Sequence, residues 1–485
     1  MKILLILPAV EKNRVAPDGE VPDRAVLRFS VLGLTTLAAL TPPEHDVVLV
    51  DENVETLDLE APADLVGISF MTGLAPRAYE LAAEFRRRGV PTVAGGFHPT
   101  LNPQEALEHF DAVVVGEAEG LWPKALQDAQ AGRLQGLYRS SCRPDLAQTP
   151  VPRRGLLERN AEHYVTTHAV QTGRGCPHAC RFCSIAAFFE GTHRSRPVES
   201  VLAELEGVPE RFMFVDDNII SDPDYAKRLF RAMAPLGKRW ISQCSIKIAD
   251  DPELLDLAYR AGCRGLFIGI ETTSQANLAA MDKGFNDPAG YRERIARIHE
   301  AGIGIQAGII VGLDSDDVSV FERTFRFLQE ARIDALQLAI LTPQPGTPLH
   351  EDFKKAGRIL DFDWAKYDYR HAVIEPARMT SEELQEGADW LYAQYYRLDR
   401  ILLRVLRQLF TLGPVVAFFS WKLNRTYRYD NIREGVVGRN PAPARRRLAE
   451  RAAKSLDSLL KRMAPTANLS AVGAMREENS SASAH

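Results

Sequence analysis

Three of the six cysteines of this 485-residue chain stand in one short run, Gly175-Cys-Pro-His-Ala-Cys-Arg-Phe-Cys183. This C-x3-C-x2-C loop offers the thiols of Cys176, Cys180 and Cys183, one short of the four that an iron-sulfur cluster takes when it only carries electrons or braces a fold. A four-iron cluster held this way keeps one iron open to a substrate, which points to chemistry. Zinc is the competing reading, since His178 or His193 could complete a four-ligand set. Cys142, Cys244 and Cys263 are scattered and form no disulfide framework,. The short N-terminal apolar run lacks a small-residue cleavage site, so a reduced, cytoplasmic chain is expected.

The composition, 45% apolar and 25% charged, is that of an ordinary globular protein long enough for about three domains,. A formal charge of -5 gives no sign of a nucleic-acid partner,. No stretch reaches the roughly 18 apolar residues of a membrane span. The nearest is 409–423, interrupted by Gly413-Pro414, Ser420 and Lys422, which reads as a buried or interfacial helix.

Short apolar runs recur in the first part of the chain: Lys2-Ile-Leu-Leu-Ile-Leu-Pro8, Asp46-Val-Val-Leu-Val-Asp51, Asp64-Leu-Val-Gly-Ile-Ser69, Pro91-Thr-Val-Ala-Gly-Gly96 and Asp111-Ala-Val-Val-Val-Gly116. Each suits a parallel strand buried on both faces, and helical stretches such as 75–88 lie between them. The alternation predicts an open α/β sheet, Rossmann-like, over residues 1–135. Such sheets bind ligands beyond the carboxyl ends of their strands, where Ser69, Thr72, Gly95, Gly96, His98 and Glu117 fall,. Residues 136–164 read as a connector.

Six further strand signals follow over 165–360: residues 165–172, Arg211-Phe-Met-Phe-Val-Asp-Asp-Asn218, Arg239-Trp-Ile-Ser-Gln-Cys-Ser245, Gly265-Leu-Phe-Ile-Gly-Ile-Glu271, 304–312 and Asp334-Ala-Leu-Gln-Leu-Ala-Ile-Leu341. These are too few for an eight-stranded barrel. Asp216, Asp217, Asn218, Gln243, Ser245 and Glu271 end such strands and are candidate ligand contacts. Residues 361–465 are expected to be a helical extension, with Thr380 and Glu383 at capping-box spacing and a basic helix over 441–463. Residues 466–485 read as a disordered tail.

The Cys loop, with Phe182 before its last thiol, resembles that of the radical S-adenosylmethionine (SAM) enzymes. Asp51-Glu-Asn53, Gly67-Ile-Ser-Phe-Met-Thr72, Gly95-Gly-Phe-His-Pro-Thr100, Gly116-Glu-Ala-Glu119, Met281-Asp-Lys-Gly-Phe-Asn286 and Leu341-Thr-Pro-Gln-Pro-Gly-Thr-Pro-Leu349 are similar to stretches of the cobalamin-dependent group. The resemblance implies a cobalamin-binding domain, a partial (β/α)6 barrel, and three cofactors: a [4Fe-4S] cluster on the three cysteines, SAM and cobalamin. It assigns Glu271 to the SAM ribose, Asp216, Asp217 and Asn218 to its amino or methionyl end with Gln243 and Ser245 nearby, and Ser69, Thr72, Gly95, Gly96, His98 and Glu117 to cobalamin. The cobalt-ligating motif Asp-x-His-x-x-Gly is absent, and His98 does not stand at its spacing.

The implied reaction is methylation of an unactivated carbon of a hydrophobic or secondary-metabolite small molecule, with a flavodoxin or ferredoxin as electron donor and weak membrane-surface contact. Radical oxidation, cyclisation or rearrangement without methyl transfer is the first alternative. A non-catalytic zinc- or corrinoid-binding protein is the second. Tyr367, Arg370 and His371 could face the substrate, with surface packing the simpler expectation.

Overall fold

The computed structural model of the chain describes residues 1–15, 19, 21, 28, 30–433, 435 and 436. The helix expected over 441–463 and the tail 466–485 lie outside these residues. The first sheet comprises β1 (Lys2–Leu7), β2 (Asp46–Asp51), β3 (Leu65–Ser69), β4 (Thr92–Gly95), β5 (Ala112–Val115) and β6 (Leu137–Arg139). Its order is β2-β1-β3-β4-β5-β6 and every pairing is parallel. Continuous Val, Ile and Leu runs make the strands apolar on both sides. One face packs Leu5, Leu49 and Val93 against Trp122, and the other packs Ile6, Val66 and Ile68 against Phe85,. The strand order reverses between β1 and β3, and the crevice at their carboxyl ends is where an open sheet takes a ligand. β6 falls in the stretch read as a connector, because three residues show no periodicity.

A short antiparallel ribbon is inserted after the first strand of the second sheet. β7 (Ala169–Val170) leads into the ribbon strands β8 (Gly173–Gly175) and β9 (His193–Ser195). Then come β10 (Arg211–Phe214), β11 (Arg239–Cys244), β12 (Cys263–Glu271), β13 (Gly304–Val311) and β14 (Ala335–Ile340). The order β7-β10-β11-β12-β13-β14 is parallel and consecutive, with helices in the crossovers, so the sheet is a six-unit open barrel,.

The last strand keeps a free edge that the C-terminal helices cover. Helix Ser381–Tyr395 starts at the expected capping box, with Thr380 accepting from the Glu383 N–H and Glu383 accepting from the Thr380 N–H. The phenol of Tyr392 donates to the Leu338 carbonyl at 2.6 Å and accepts from its N–H at 3.1 Å; Tyr396 does the same for Leu336. Two phenols thus stand where a further strand would have been, satisfying β14 without inviting another chain. Helices Leu398–Thr411 and Pro414–Arg433 complete the extension, and 409–423 spans the turn between them.

Candidate active site

The Cys loop leaves β8 through Gly175, whose φ is +81° and where a Cβ would sit 2.1 Å from the Thr192 carbonyl oxygen. Only glycine fits there. The loop closes on Cys183, whose N–H donates to the Cys180 carbonyl at 3.1 Å, and continues into helix Ser184–Phe189. It is pinned from the barrel by the Arg181 N–H donating to the Met281 carbonyl and by the Leu349 N–H donating to the Arg181 carbonyl, both at 3.2 Å. All three thiols are free, with Cys180 buried and the other two half-buried. Burial raises all three, Cys180 to about 12. Metal binding reverses that shift, because the bound form is the thiolate. Among the described residues no three His, Cys, Asp or Glu side chains converge as a single ion requires. Three soft thiol donors gathered on one loop, one short of four irons, are a donor set that suits an iron-sulfur cluster,.

Asp216 and Asp217 anchor the ribbon that carries the loop. Buried Asp216 accepts from the Thr172 hydroxyl at 2.6 Å and from the N–H groups of Thr172 and Gly173. Asp217 accepts from the Gly175 N–H at 3.0 Å. Burial raises Asp216 to about 7 and Asp217 to about 6 against these hydrogen bonds. The following helix, Pro223–Met233, is capped by Asp222 and not by an acid of the Asp216–Asp217 pair. Asn218 accepts from the Ser245 N–H at 2.9 Å, while Ser245 caps the short turn after β11 through the Lys247 N–H. Gln243 lies one residue before the end of β11, and its carbonyl accepts from Ile219.

Glu271 closes β12 in a left-handed conformation, φ 63°, which a non-glycine residue adopts only under constraint,. Its side chain folds back over Gly269, where a Cβ would lie 2.3 Å from Oε1. Lys283 pairs with Glu271 at 2.5 Å, both side chains largely shielded from solvent. Its ammonium also lies 5.9 Å from the Phe182 ring centroid. Burial pulls Lys283 down, but Glu271 and the thiols outweigh it and hold it charged. Lys283 was missed as a site residue although its stretch carried a family resemblance; a lone lysine between Asp282 and Gly284 has no spacing signal. Asp316 was missed too. It is buried and accepts from the Gly312 and Leu313 N–H groups and from Asn277, fixing the loop after β13.

In the first sheet, His98 is fully buried, with Nδ1 3.3 Å from the Thr72 hydroxyl and Nε2 3.0 Å from the Tyr79 hydroxyl. Both ring nitrogens therefore have partners inside the domain. Gly96 has φ +99°, and a Cβ there would lie 2.8 Å from the Phe70 carbonyl oxygen; a Cβ on Gly95 would meet nothing within 4 Å. Gly96 makes the turn, and Gly95 is the position with open space for a bulky corrinoid, beside Ser69 at the end of β3. That space at the carboxyl end of β4, beside β3, fits the group, while His98 keeps both ring nitrogens on partners within the domain.

The carboxyl ends of the first sheet adjoin the Cys-loop side of the barrel. Phe97 contacts Phe188 with ring centroids 4.8 Å apart. Glu117, 8% exposed, takes Arg174 at 2.7 Å and Arg194 at 2.5 Å, both from the ribbon flanking the loop, while Arg174 also reaches Glu119. From the C-terminal extension, Tyr367 is buried and donates to the Asp361 carbonyl. Arg370 lies over Tyr392, and His371 contacts Asp368. Tyr369, in the same segment, has φ 64° and a carbonyl that accepts from the Ile340 N–H at the end of β14; the residue is 41% exposed, and its phenol comes near Ser184 and Cys183.

The Radical SAM superfamily model matches residues 170–347, and the B12 binding domain model matches residues 24–125. The bacteriochlorophyllide d C-12(1)-methyltransferase of Chlorobaculum tepidum is 31% identical over 415 residues, 83% of this chain and 89% of that protein. The hopanoid C-2 methylase of Rhodopseudomonas palustris is 29% identical over 75% of this chain and 72% of its own. The fold is also that of the radical SAM methyltransferase TsrM from Kitasatospora setae, solved with tryptophan and a SAM analogue. Its TM-score is 0.62 at 15% identity, covering 90% of this chain and 99% of that one. With a three-thiol loop on an open barrel, a B12-binding sheet set against it and a relative this similar over most of its length, the chain belongs to the cobalamin-dependent radical SAM enzymes.

Proposed function

We propose that this enzyme methylates an unactivated carbon of a hydrophobic, polycyclic small molecule. The observation that carries the proposal is the seating of the B12-binding strand ends against the Cys-loop ribbon through Glu117, Arg174, Arg194 and the Phe97–Phe188 contact. When bound, the cluster supplies an electron for reductive cleavage of SAM, and cobalamin supplies a methyl group. Cys176, Cys180 and Cys183 would hold the cluster, their three thiolates one short of its four irons,. Glu271 and Asp217 offer carboxylates on the strand-end face, with Gln243 and Ser245 nearby, as the SAM contacts. Gly95 leaves room for the corrinoid. The Tyr369 phenol walls the mouth from the extension side and orients the substrate. The bacteriochlorophyllide and hopanoid named for the relatives support this substrate class.

A flavodoxin or ferredoxin supplies the electron, and a reducing cytoplasm suits the free thiols. No helix among the described residues is long and apolar enough to cross a membrane. The test is anaerobic turnover with methyl-deuterated SAM and lipid or pigment extracts. 5'-Deoxyadenosine together with a trideuteromethyl product supports the reading; deoxyadenosine with an unlabelled, oxidised or cyclised product replaces it with the alternative outcome.

A further inference from the structure

The helix Leu398–Thr411 is amphipathic with its faces reversed. Ile401, Arg404 and Gln408 are buried, whereas Leu402, Leu403, Leu406, Leu409 and Phe410 are 46–80% exposed. The polar seam is specific. Arg404 stacks 4.0 Å from the Tyr395 ring centroid and donates to Asn424 at 2.8 Å, and Gln408 donates to Asp334 at 2.5 Å. Those bonds fix the rotation of the helix, so its leucines cannot roll inward without stranding a guanidinium. Past the Gly413-Pro414 turn, Phe418 extends the apolar face at 65% exposure. It also rims a cavity of about 680 Å³ at the amino ends of the barrel strands, walled by Phe212, Trp240 and Phe419. That cavity lies at the opposite end of the strands from the Cys loop.

The charges around this face favour one occupant. Residues 397–425 hold six cations and one acid, Asp399; Arg404 is buried in the seam, Arg397 pairs with Asp399 and Arg407 with Asp334, and Lys422 and Arg425 are exposed. A second copy docked on a two-fold axis would set these cations against themselves. Apolar side chains on a helix surface bordered by arginine and lysine are what an anionic lipid interface accepts: rings and leucines enter the acyl region while the cations stay at the headgroups.

We propose that the hairpin of helices Leu398–Thr411 and Pro414–Arg433 docks this enzyme on an anionic lipid bilayer, the cavity beside Phe418 opening toward the acyl chains. The weak membrane contact expected from the sequence thereby acquires a surface and a lipid charge. It is independent of which carbon is methylated, since a protein that fails to dock can still turn over a soluble substrate.

The test is flotation of the full-length protein with vesicles of equimolar phosphatidylcholine and phosphatidylglycerol, and with phosphatidylcholine alone. The protein should float with the anionic vesicles and be released by salt. The double variant Leu403→Glu/Phe410→Glu, at exposed positions, should lower the bound fraction roughly tenfold or more while circular dichroism and cluster absorbance stay unchanged. Lys422→Glu/Arg425→Glu should weaken binding on anionic vesicles. Absence of flotation, or equal flotation of the wild type and the leucine-phenylalanine variant, overturns the proposal. So does light scattering that shows a dimer dissolved by the double variant with no vesicle binding.

Discussion

Replacing Glu117 with Gln separates two roles for a residue expected at the cobalamin face. The carboxylate is almost wholly buried and accepts from Arg174 and Arg194 across the junction between the two sheets. Gln keeps the shape but has one acceptor oxygen: one arginine keeps a hydrogen bond without its counter-charge and the other is left facing an amide NH2 group, a combined loss of about 3 kcal/mol,. Arg174 retains Glu119, whereas among the acids paired with the two ribbon arginines Glu117 is the one that Arg194 contacts. The junction should therefore weaken by about 3 kcal/mol. At roughly 2–4 °C per kcal/mol for a unit of this size, the apparent melting temperature of cobalamin-free protein should fall by about 6–12 °C. The shift should change little with salt, because the pairs are shielded from counter-ions. Scanning fluorimetry with and without cobalamin reads the effect. An unchanged melting temperature in the cobalamin-free protein, combined with lost cobalamin affinity, would refute the structural role and restore Glu117 as a ligand contact.

The two adjacent glycines should behave oppositely. Gly96→Ala forces a Cβ against Phe70 at a positive φ and should destabilise the first domain by roughly 2–4 kcal/mol in urea melts; Gly95→Ala should leave stability within about 0.5 kcal/mol but weaken cobalamin binding by titration,. Equal behaviour of the two would contradict the division of roles. Burial pushes Glu105 up, but the nearby His98 ring, 3.7 Å away, and hydrogen bonds from Trp364 and Tyr79 prevail and hold it at about 2. A depressed carboxyl contributes stability above its unfolded pKa, and that contribution is lost as pH falls through the folded one. Glu105→Gln should thus lower the melting temperature at pH 7, with the gap to wild type closing from about pH 4.5 toward pH 2; a pH-independent gap would count against it. Tyr369→Phe should preserve SAM cleavage to deoxyadenosine while lowering methylated product per cleavage event, read by mass spectrometry, and parallel loss of both would remove its substrate-facing role.

Both sheets were legible because buried parallel strands are written as continuous apolar runs, which need no partner to be recognised. β6, β8 and β9 were not, since strands of three residues show no period, and their pairing is a tertiary event. The three thiols were found by spacing alone. Asp216 and Asp217 stand out in sequence as acids at a strand end, but their bonds to Thr172, Gly173 and Gly175 join segments some forty residues apart, so the sequence does not show the anchoring they do. Lys283 and Tyr369 reach the loop from about 100 and 186 positions beyond Cys183, and no local pattern marks them. For helix Leu398–Thr411, periodicity shows two stripes but cannot tell which faces inward; Asp334 and Asn424 decide that by binding Gln408 and Arg404.

The decisive measurement is electron paramagnetic resonance of anaerobically reconstituted, dithionite-reduced protein before and after addition of SAM, with iron and sulfide counted on the same sample. About four irons per chain and a signal that shifts when SAM binds are expected if the iron without a cysteine is open. Stoichiometric zinc, or a cluster whose spectrum ignores SAM, would contradict the assignment on which the chemistry of this enzyme rests.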